Sequence, residues 1–566
     1  MAMTAIDEEI INSALSNLDI QGDSVCFISR LPRETLEAIF IRGACDYWSE
    51  DEGFFVSTPP SWVNVSYVCS HWRDVALNCA TLWSYLCVMS TRWTEELLSR
   101  SKQAPLKLYA NLHREGGMHF LEDVVIHVER IQELRICIPN DNHLFQVLSK
   151  LSSRAPLLQK LEIIVDSESY SPKWWPSVPF NGDIPELRSL YLVKCPLPWY
   201  SLKLNRLTSL CLCFMHDRSR QTTADFLATL RCMQDLTYLA VENCLASAAI
   251  FLSSTTFKTF RRFNLPRLSF LYIDAVVSTV VALFSCVNIP LQTEVILHCS
   301  VEYDSPLDHY ALLSSLIAQR LATSEDHVLS SPTIRSLVIA FPPREARITF
   351  SVAERDCDYF LAVEGMAADC DPSDETSADI PLMVNLHDDD PMAAIGTDRS
   401  VNRFYCPIPL PNVRSVHVLN PPSPPAFWMH VLGGLPDTRY MKVGRGDMPD
   451  LASVLSLTPR DCTESHPDWD PDQIFAPALE ELELYEIEFQ TPVEGDLDPL
   501  RVAGVQSLCD ALATRKEPRG RLTMTRCIVR NTDGQVKWFD MEGGWGGGRF
   551  RVIDLKLESD TGIISN

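Results

Sequence analysis

The amino-acid sequence predicts an α+β fold, in which a small N-terminal helical module is followed by an irregular α/β solenoid. Two short amphipathic helical patterns between residues 28 and 88 predict the module. A Leu-rich pattern that returns nine times between residues 131 and 484 predicts the solenoid. The chain has 566 residues, which is enough for one small module and one long repeat region.

The first helical pattern opens on Leu31 and Pro32. Proline is tolerated in the first turn of a helix, because its missing N–H would be unpaired there anyway. Leu36, Ile39 and Phe40 then fall on one helical face. The pattern therefore predicts a short helix with one apolar side.

A second apolar pattern follows after an intervening loop. Val65, Val68, Trp72 and Val75 recur at spacings of three, four and three, which predicts another helical stripe, and the pair Leu82-Trp83 closes the module. Two short helices and this pair cannot bury so much apolar surface by themselves, so the surplus predicts a protein partner. The alternative is that these side chains form only the core of a helical cap.

Residues 28–88 resemble an F-box-like domain, and the chain is similar to fungal F-box-like proteins. The shared pattern is Leu-Pro-x-Glu-x-Leu-x-x-Ile-Phe, then Val-Cys-x-x-Trp-Arg-x-x-Ala, then Leu-Trp. A longer loop between Gly43 and Trp62 departs from the short form of the motif. The resemblance implies docking on the Skp-type adaptor of a cullin–RING ubiquitin ligase. The implied partner-binding residues are Leu31, Pro32, Leu36, Ile39, Phe40, Val65, Val68, Cys69, Trp72, Leu82 and Trp83.

One short pattern returns along the rest of the chain: an apolar residue, two variable positions, then two apolar residues one position apart. Its final pair alternates with polar or small residues, as in half-buried strands, and helical stretches such as 223–231 and 310–320 lie between copies. The period of roughly 20 to 32 residues and the strand portion resemble leucine-rich repeats. The copies begin at Ile131, Leu158, Leu187, Leu207, Leu236, Leu268, Ile334, Val413 and Leu479.

The repeats are degenerate, since the Asn or Cys that usually follows the strand is present only in some copies. We therefore expect an irregular leucine-rich-repeat-like solenoid, in which each unit exposes an apolar face until its neighbour stacks on it. The alternative is an ordinary α/β domain with Leu-rich strands. The predicted domains are an N-terminal acidic segment at 1–27, the F-box-like domain at 28–88, a connecting segment at 89–130 and the solenoid at 131–566.

Two segments interrupt the repeats. The first carries Trp174 and Trp175, which could anchor a target because binding energy concentrates on such side chains, or could belong to a loop folded back on the repeats. The second spans about 354–399, where acidic residues far outnumber Arg355 and Arg399. That composition cannot bury enough apolar surface to stay ordered, so we expect a flexible insertion.

The composition is that of a globular protein, with 46% hydrophobic and 22% charged residues, and the formal net charge is −25. A protein that binds nucleic acid through phosphates would show a basic patch, and the sequence indicates none, so no nucleic-acid partner is expected. A net-negative chain instead favours a target with a basic face, mainly through the association rate.

The 19 cysteines are spread singly along the chain, without the spacing of a disulfide framework. We interpret most of them as small buried hydrophobes in a reducing compartment. Cys211 and Cys213 would face the same side of a strand, but no second Cys/His pair lies at ligand spacing nearby, so no metal is expected.

The N-terminal residues lack the positive and apolar regions of a signal peptide. The longest uncharged run, residues 275–290, is too short and interrupted to span a bilayer, and predicts one buried helix between two strands. We therefore expect no membrane association and a cytoplasmic or nuclear location.

The sequence contains no phosphate loop, no zinc helix of the His-Glu-x-x-His type and no nucleophile elbow. The glycine-dense stretch 543–548 predicts a turn between strands at 536–541 and 549–557. We expect no enzymatic activity and no cofactor.

Together these features predict a substrate-recruiting F-box subunit of a Skp–cullin–F-box type ubiquitin ligase. The N-terminal module would bind the Skp-type adaptor, and the repeats would bind a target protein. The alternative is a non-degradative F-box/leucine-rich-repeat scaffold for protein–protein interaction.

Overall fold

In the computed structural model the chain divides into two units, Met1–Arg220 with Cys232–Leu236, and Gln221–Arg231 with Thr237–Asn566. Helices and strands occur in both, in agreement with the predicted α+β class. The structure describes residues 31–49, 61–87, 91–166, 179–195, 202, 204–214, 220–290, 292–300, 309–322, 336–340, 345–351, 382–387, 413–419, 425–433, 435–447, 451–458, 460, 474–491, 499, 502–513, 515, 520–531, 536–544 and 549–557.

The first unit begins with short helices and continues into a parallel sheet. Its α-helices are α1 (Arg33–Ser49), α2 (Ser70–Asn78), α3 (Thr91–Ser101), α4 (Gly117–Val125) and α5 (Asp141–Lys150). Short 3-10 helices cover Ser61–Tyr67, Ala80–Ser84, Val128–Arg130 and Pro179–Gly182. The strands are β1 (Tyr85–Cys87), β2 (Leu106–Asn111), β3 (Ile131–Ile138), β4 (Lys160–Val165), β5 (Ser189–Val193) and β6 (Ser209–Cys213). Each strand pairs in parallel with the next along the chain.

The repeated apolar pattern sets the register of this sheet. Leu134 on β3 lies opposite Leu161 on β4, which lies opposite Leu190 on β5, and the row continues into β6. The second apolar position of each copy forms a parallel row two residues further on. Because side chains alternate across a strand, both rows point to one face, where they are buried. A slip of one residue would expose all of them, so the pattern fixes the pairing.

The first leucine of each copy closes the turn that enters the strand. The backbone N–H of Leu158 donates to the carbonyl of Ala155 at 3.2 Å, and Leu187 donates in the same way to Ile184 at 3.2 Å. Both leucine side chains are buried. The repeat therefore combines an anchored turn with a strand, as the sequence predicts.

The second unit contains a longer sheet with helices between many of its strands. Its helices are α6 (Thr223–Leu230), α7 (Ala249–Ser253), α8 (Thr255–Thr259), α9 (Val277–Cys286), α10 (His309–Ala322), α11 (Pro425–Gly433), α12 (Leu451–Leu455) and α13 (Ala503–Ala513). Its strands are β7 (Tyr238–Glu242), β8 (Phe263–Asn264), β9 (Phe270–Val276), β10 (Val287–Asn288), β11 (Glu294–Ser300), β12 (Ser336–Ala340), β13 (Glu345–Ser351), β14 (Leu382–His387), β15 (Ser415–Leu419), β16 (Tyr440–Asp447), β17 (Glu481–Gln490), β18 (Arg521–Arg530), β19 (Val536–Gly544) and β20 (Arg549–Leu557).

Within the second unit the sheet runs in the order β7-β9-β11-β14-β13-β12-β15-β16-β17-β18-β19-β20, while β8 and β10 form a separate parallel pair. Most neighbours are parallel. Strand β13 runs antiparallel to both of its neighbours, and the last strands, β18 to β20, form an antiparallel meander. The predicted turn between the two C-terminal strands is confirmed by the pairing of Gly544 with Arg549.

All nine copies of the repeat contain a strand, and two further strands precede them. Strands β1 and β2 already pair in the sheet, although they lie in the predicted F-box-like domain and connecting segment rather than after residue 131. The pattern also missed β16, where buried Thr438 occupies the position of the first leucine.

One part of the predicted insertion at 354–399 forms a strand. Residues Leu382–His387 form β14, which pairs with β11 on one side and with β13 on the other. This strand is formed by the largely apolar run Leu-Met-Val-Asn-Leu, which lies between acidic stretches of the sequence. The rest of that segment lies outside the described residues.

The uncharged run at 275–290 contains helix α9, whose residues from Val277 to Leu283 are all buried. It lies between β9 and β10, as predicted, although the helix is shorter than the run. No helix in the described part of the chain is both long and apolar enough to cross a membrane.

Gly444 is required for the close approach of β16 and β17. It lies opposite Tyr485, and a Cβ added at this position would overlap the tyrosine ring. We expect Gly444→Ala to lower the free energy of unfolding by about 1–3 kcal/mol, measured by urea denaturation, because the ring must leave its place. Adding Tyr485→Ala should make the combined loss smaller than the sum of the two single losses; additive losses would contradict this contact.

Candidate protein-binding site

Helix α1 buries one face and exposes another. Leu36, Phe40 and Ala44, which are four residues apart, are buried on the same side. The helix begins where the carbonyl of Pro32 accepts hydrogen bonds from the N–H groups of Thr35 and Leu36, both at 3.1 Å. The apolar spacing and the proline thus produce the predicted helix.

Helix α2 starts at a cap supplied by Cys69. The Cys69 Sγ accepts a hydrogen bond from the backbone N–H of Trp72 at 3.4 Å. Trp72 packs on Phe40 of α1, with the ring centroids 5.0 Å apart. Val75 and Ala76 are buried beneath it.

Trp83 is the centre of the module's core. It is fully buried, its indole N–H donates to the carbonyl of Ala76 at 2.6 Å, and its ring meets the edge of Trp62 at a centroid distance of 5.5 Å. The guanidinium of Arg100, on α3, lies 4.3 Å from the Trp83 ring centroid. Trp83 therefore connects α2, the 3-10 helix before it and α3, which leads into the sheet.

Several apolar side chains lie on the outside of this module, among them Leu77, and we call four others the exposed apolar set. Ile39 is 49% exposed, Tyr67 is 68% exposed and Val68 is 60% exposed. Pro32, which is also exposed, lies seven residues before Ile39, nearly two helical turns, and so falls on the same side of α1. Such a concentration of exposed apolar side chains on a small module is typical of an interaction site.

The residues implied by the F-box resemblance divide into three groups. Those buried in the core are Leu36, Phe40, Leu82 and Trp83. Those partly buried are Leu31, Val65 and Trp72. Those on the surface are Pro32, Ile39, Val68 and Cys69. The buried four form part of the core of the module, and the implied role of all eleven residues in partner binding stays a prediction.

The predicted stripe through Val65, Val68 and Val75 is corrected. The 3-10 helix ends at Tyr67 and α2 begins at Ser70, so these valines do not belong to one continuous helix. As a result Val68 is exposed, whereas Val75 is buried.

Two residues of the module were missed by the sequence analysis. Trp62 was placed at the edge of a loop, yet it is buried against Trp83. Tyr67, the most exposed of the apolar set, fell between the valines of the assumed stripe. The signal available in the sequence was an aromatic residue directly next to Val68.

Two groups of the module have pKa values shifted by their surroundings. The hydrogen bond from Arg33 Nε to Glu37 Oε1, at 2.8 Å, raises the pKa of the Arg33 guanidinium above its usual value. Burial raises the pKa of the Cys79 thiol, so Cys79 stays protonated at neutral pH and acts as a small apolar side chain. The Arg33–Glu37 ion pair thus begins at the residue next to Pro32 of the exposed apolar set.

The structure offers less support for the other predicted sites. The Sγ atoms of Cys211 and Cys213 lie 3.5 Å apart and are buried, but no cluster of three or more potential metal ligands occurs in the described ranges. Trp174 and Trp175 lie outside the described residues, so their target-binding role stays a prediction.

Comparison with known proteins identifies the module. Residues 28–89 match the family model of F-box-like domains, so this part of the chain is an F-box-like domain, as the sequence motif predicts. No curated protein matches the chain.

Among solved structures, the chain is similar to the crystal structure of a TLR13–ssRNA13 complex, with 13% identity and a TM-score of 0.25. The alignment covers 79% of this chain and 50% of that one, so the chain spans half the length of that structure. A likeness this low supports no conclusion about the fold.

Proposed function

We propose that the chain is a substrate-recruiting F-box subunit of a Skp–cullin–F-box type ubiquitin ligase, itself without enzymatic activity and acting in the cytoplasm or nucleus. The observation that carries the proposal is the coincidence of two features. The F-box-like match covers residues 28–89, and the exposed apolar set lies within it. An F-box domain generally binds a Skp-type adaptor, and these side chains offer the apolar contact that such docking requires.

The remaining part of the proposal concerns the target. Within each unit, the strands stack as an irregular leucine-rich-repeat-like solenoid whose side chains are fixed by parallel pairing. This arrangement is supported by the aligned leucine rows of β3 to β6 and by the corresponding row from β15 to β18. Stacked repeats of this kind provide extended binding surfaces.

Co-expression tests this proposal. The full chain should elute from gel filtration together with a Skp-type adaptor, a cullin and a RING subunit. Elution with the adaptor alone would favour the scaffold, which is the alternative function. No co-elution with the adaptor would contradict both.

The start of α1 provides a specific variant. Leu31 is half-buried and Pro32 is exposed, where the helix opens toward solvent. We expect Leu31→Ala with Pro32→Ala to abolish adaptor binding in a pull-down, because both apolar side chains are lost from the docking end. The circular dichroism of the sheets should not change. Retained binding at unchanged affinity would place the contact elsewhere.

A further inference from the structure

A local reversal of charge occurs in the second unit. No aspartate or glutamate lies between Glu242 and Asp274, although the whole chain has 74 acidic residues and a net charge of −25. The same stretch carries Lys258, Arg261, Arg262 and Arg267, all exposed. No carboxylate of the described residues lies within ion-pair distance of Lys258 or Arg261. The sequence analysis missed this patch because it relied on the overall charge.

Aromatic contacts join the segments that carry Lys258 and Arg261. Phe251 on α7 meets the edge of Phe257 at a centroid distance of 5.5 Å and of Phe260 at 6.1 Å. Lys258 and Arg261 are the next residues along the chain from the two latter rings. The Arg262 Nε donates to the carbonyl of Ser285 at 2.7 Å, which anchors the segment to the end of α9.

An apolar side chain stands beside these cations. Ile250, the residue before Phe251, is 87% exposed, and the rings of Phe251, Phe257 and Phe260 are only partly buried. An isoleucine this exposed next to a partly open aromatic cluster adds apolar contact area without needing to move. The surface thus combines apolar area with two cations, Lys258 and Arg261, that have no ion-pair partner among the described residues.

We propose that this basic aromatic patch, formed by Ile250, Phe251, Phe257, Lys258, Phe260 and Arg261, binds an acidic segment of a partner protein that also carries an apolar side chain. Carboxylates of that segment pair with Lys258 and Arg261, and its apolar side chain packs on Ile250 and the rings. The proposal deepens the proposed function, because it gives the chemistry of the target on which that function rests. It also replaces the expectation of a target with a basic face.

Charge complementarity favours a short acidic segment over a long polyanion. A nucleic acid or an anionic membrane extends well beyond these few cations and would meet the net charge of −25 carried by the chain. A short peptide confines its negative charge to the patch. The adjacent apolar surface would also contribute nothing to the binding of phosphates alone.

The test uses the full chain and a fluorescein-labelled peptide that contains glutamates and leucines. Fluorescence anisotropy should show saturable binding, which disappears when every glutamate of the peptide is changed to glutamine. Lys258→Glu with Arg261→Glu should weaken binding at least about tenfold, because attraction becomes repulsion. Ile250→Ser should weaken binding with the charges intact.

The matched control is Arg92→Glu with Lys102→Glu, which changes the net charge equally at exposed positions of the first unit. This control should bind the peptide nearly as well as the original chain. An equal loss in both double variants would overturn the location. No saturable binding of the peptide, or binding of single-stranded DNA or phosphatidylserine vesicles in preference to it, would overturn the proposal.

A pull-down of the Skp-type adaptor on the same variants separates this inference from the proposed function. Adaptor binding without peptide binding would contradict only the proposal of an acidic target. Peptide binding without adaptor binding would contradict only the proposed role in a ubiquitin ligase.

Discussion

Trp83→Ala should lower the free energy of unfolding of the F-box-like module by about 3–5 kcal/mol, the usual cost of removing a buried tryptophan. The loss has three components in this structure: the bond to the Ala76 carbonyl, the contact with the Trp62 ring, and the position of the Arg100 guanidinium over the indole. The total stability of a small module is of similar size to this loss, so we expect the module of the variant to be largely unfolded at physiological temperature.

Hydrogen exchange of the variant is the measurement. Amides of α1 and α2 should lose protection, while those of β15 to β18, in the other unit, keep it. Trp93→Ala is the matched control, since Trp93 is a half-buried tryptophan on α3 with no ring contact among the described residues. Equal effects of the two variants would contradict a central role for Trp83.

Ile39→Asp combined with Val68→Asp should reduce the affinity for a Skp-type adaptor by about 100-fold or more, because two exposed apolar contacts become charged. Both side chains lie largely outside the core, so the stability should change by only about 0.5 kcal/mol. Titration calorimetry of the full chain with the adaptor gives the affinity, and urea denaturation gives the stability.

The control for this variant is available in the same unit. Ile126 and Leu157 are also exposed apolar residues, but they lie outside the F-box-like match. Ile126→Asp with Leu157→Asp should leave the adaptor affinity unchanged. A loss in the control equal to that of Ile39→Asp with Val68→Asp would mean that general charge, rather than the exposed apolar set, governs docking.

The strands could be predicted from the sequence because their pattern is local. Leu158, Leu161 and Ile163 show the logic: one leucine closes the turn, and the next two apolar residues point to the buried face of β4. Such alternation is readable without knowledge of the neighbours. Where a copy lacks the leucine, as at Thr438, burial depends on the adjacent strands, and the pattern fails.

The candidate site was harder to predict because it depends on which side of a helix faces the core. Helical spacing grouped Ile39 with Leu36 and Phe40, yet Ile39 is one residue before Phe40 and turns away from the core. The break at Cys69 likewise separates Val68 from Val75. Strand β14 was missed because composition averaged over the acidic segment concealed its short apolar run.

The central claim is that the exposed apolar set docks on a Skp-type adaptor. Hydrogen–deuterium exchange of the full chain with and without the adaptor tests it most directly. The account predicts new protection in residues 33–44 and 61–72 on adaptor binding, and no change in strands β15 to β18. Protection confined to the sheets, with α1 and the start of α2 unchanged, would contradict the claim.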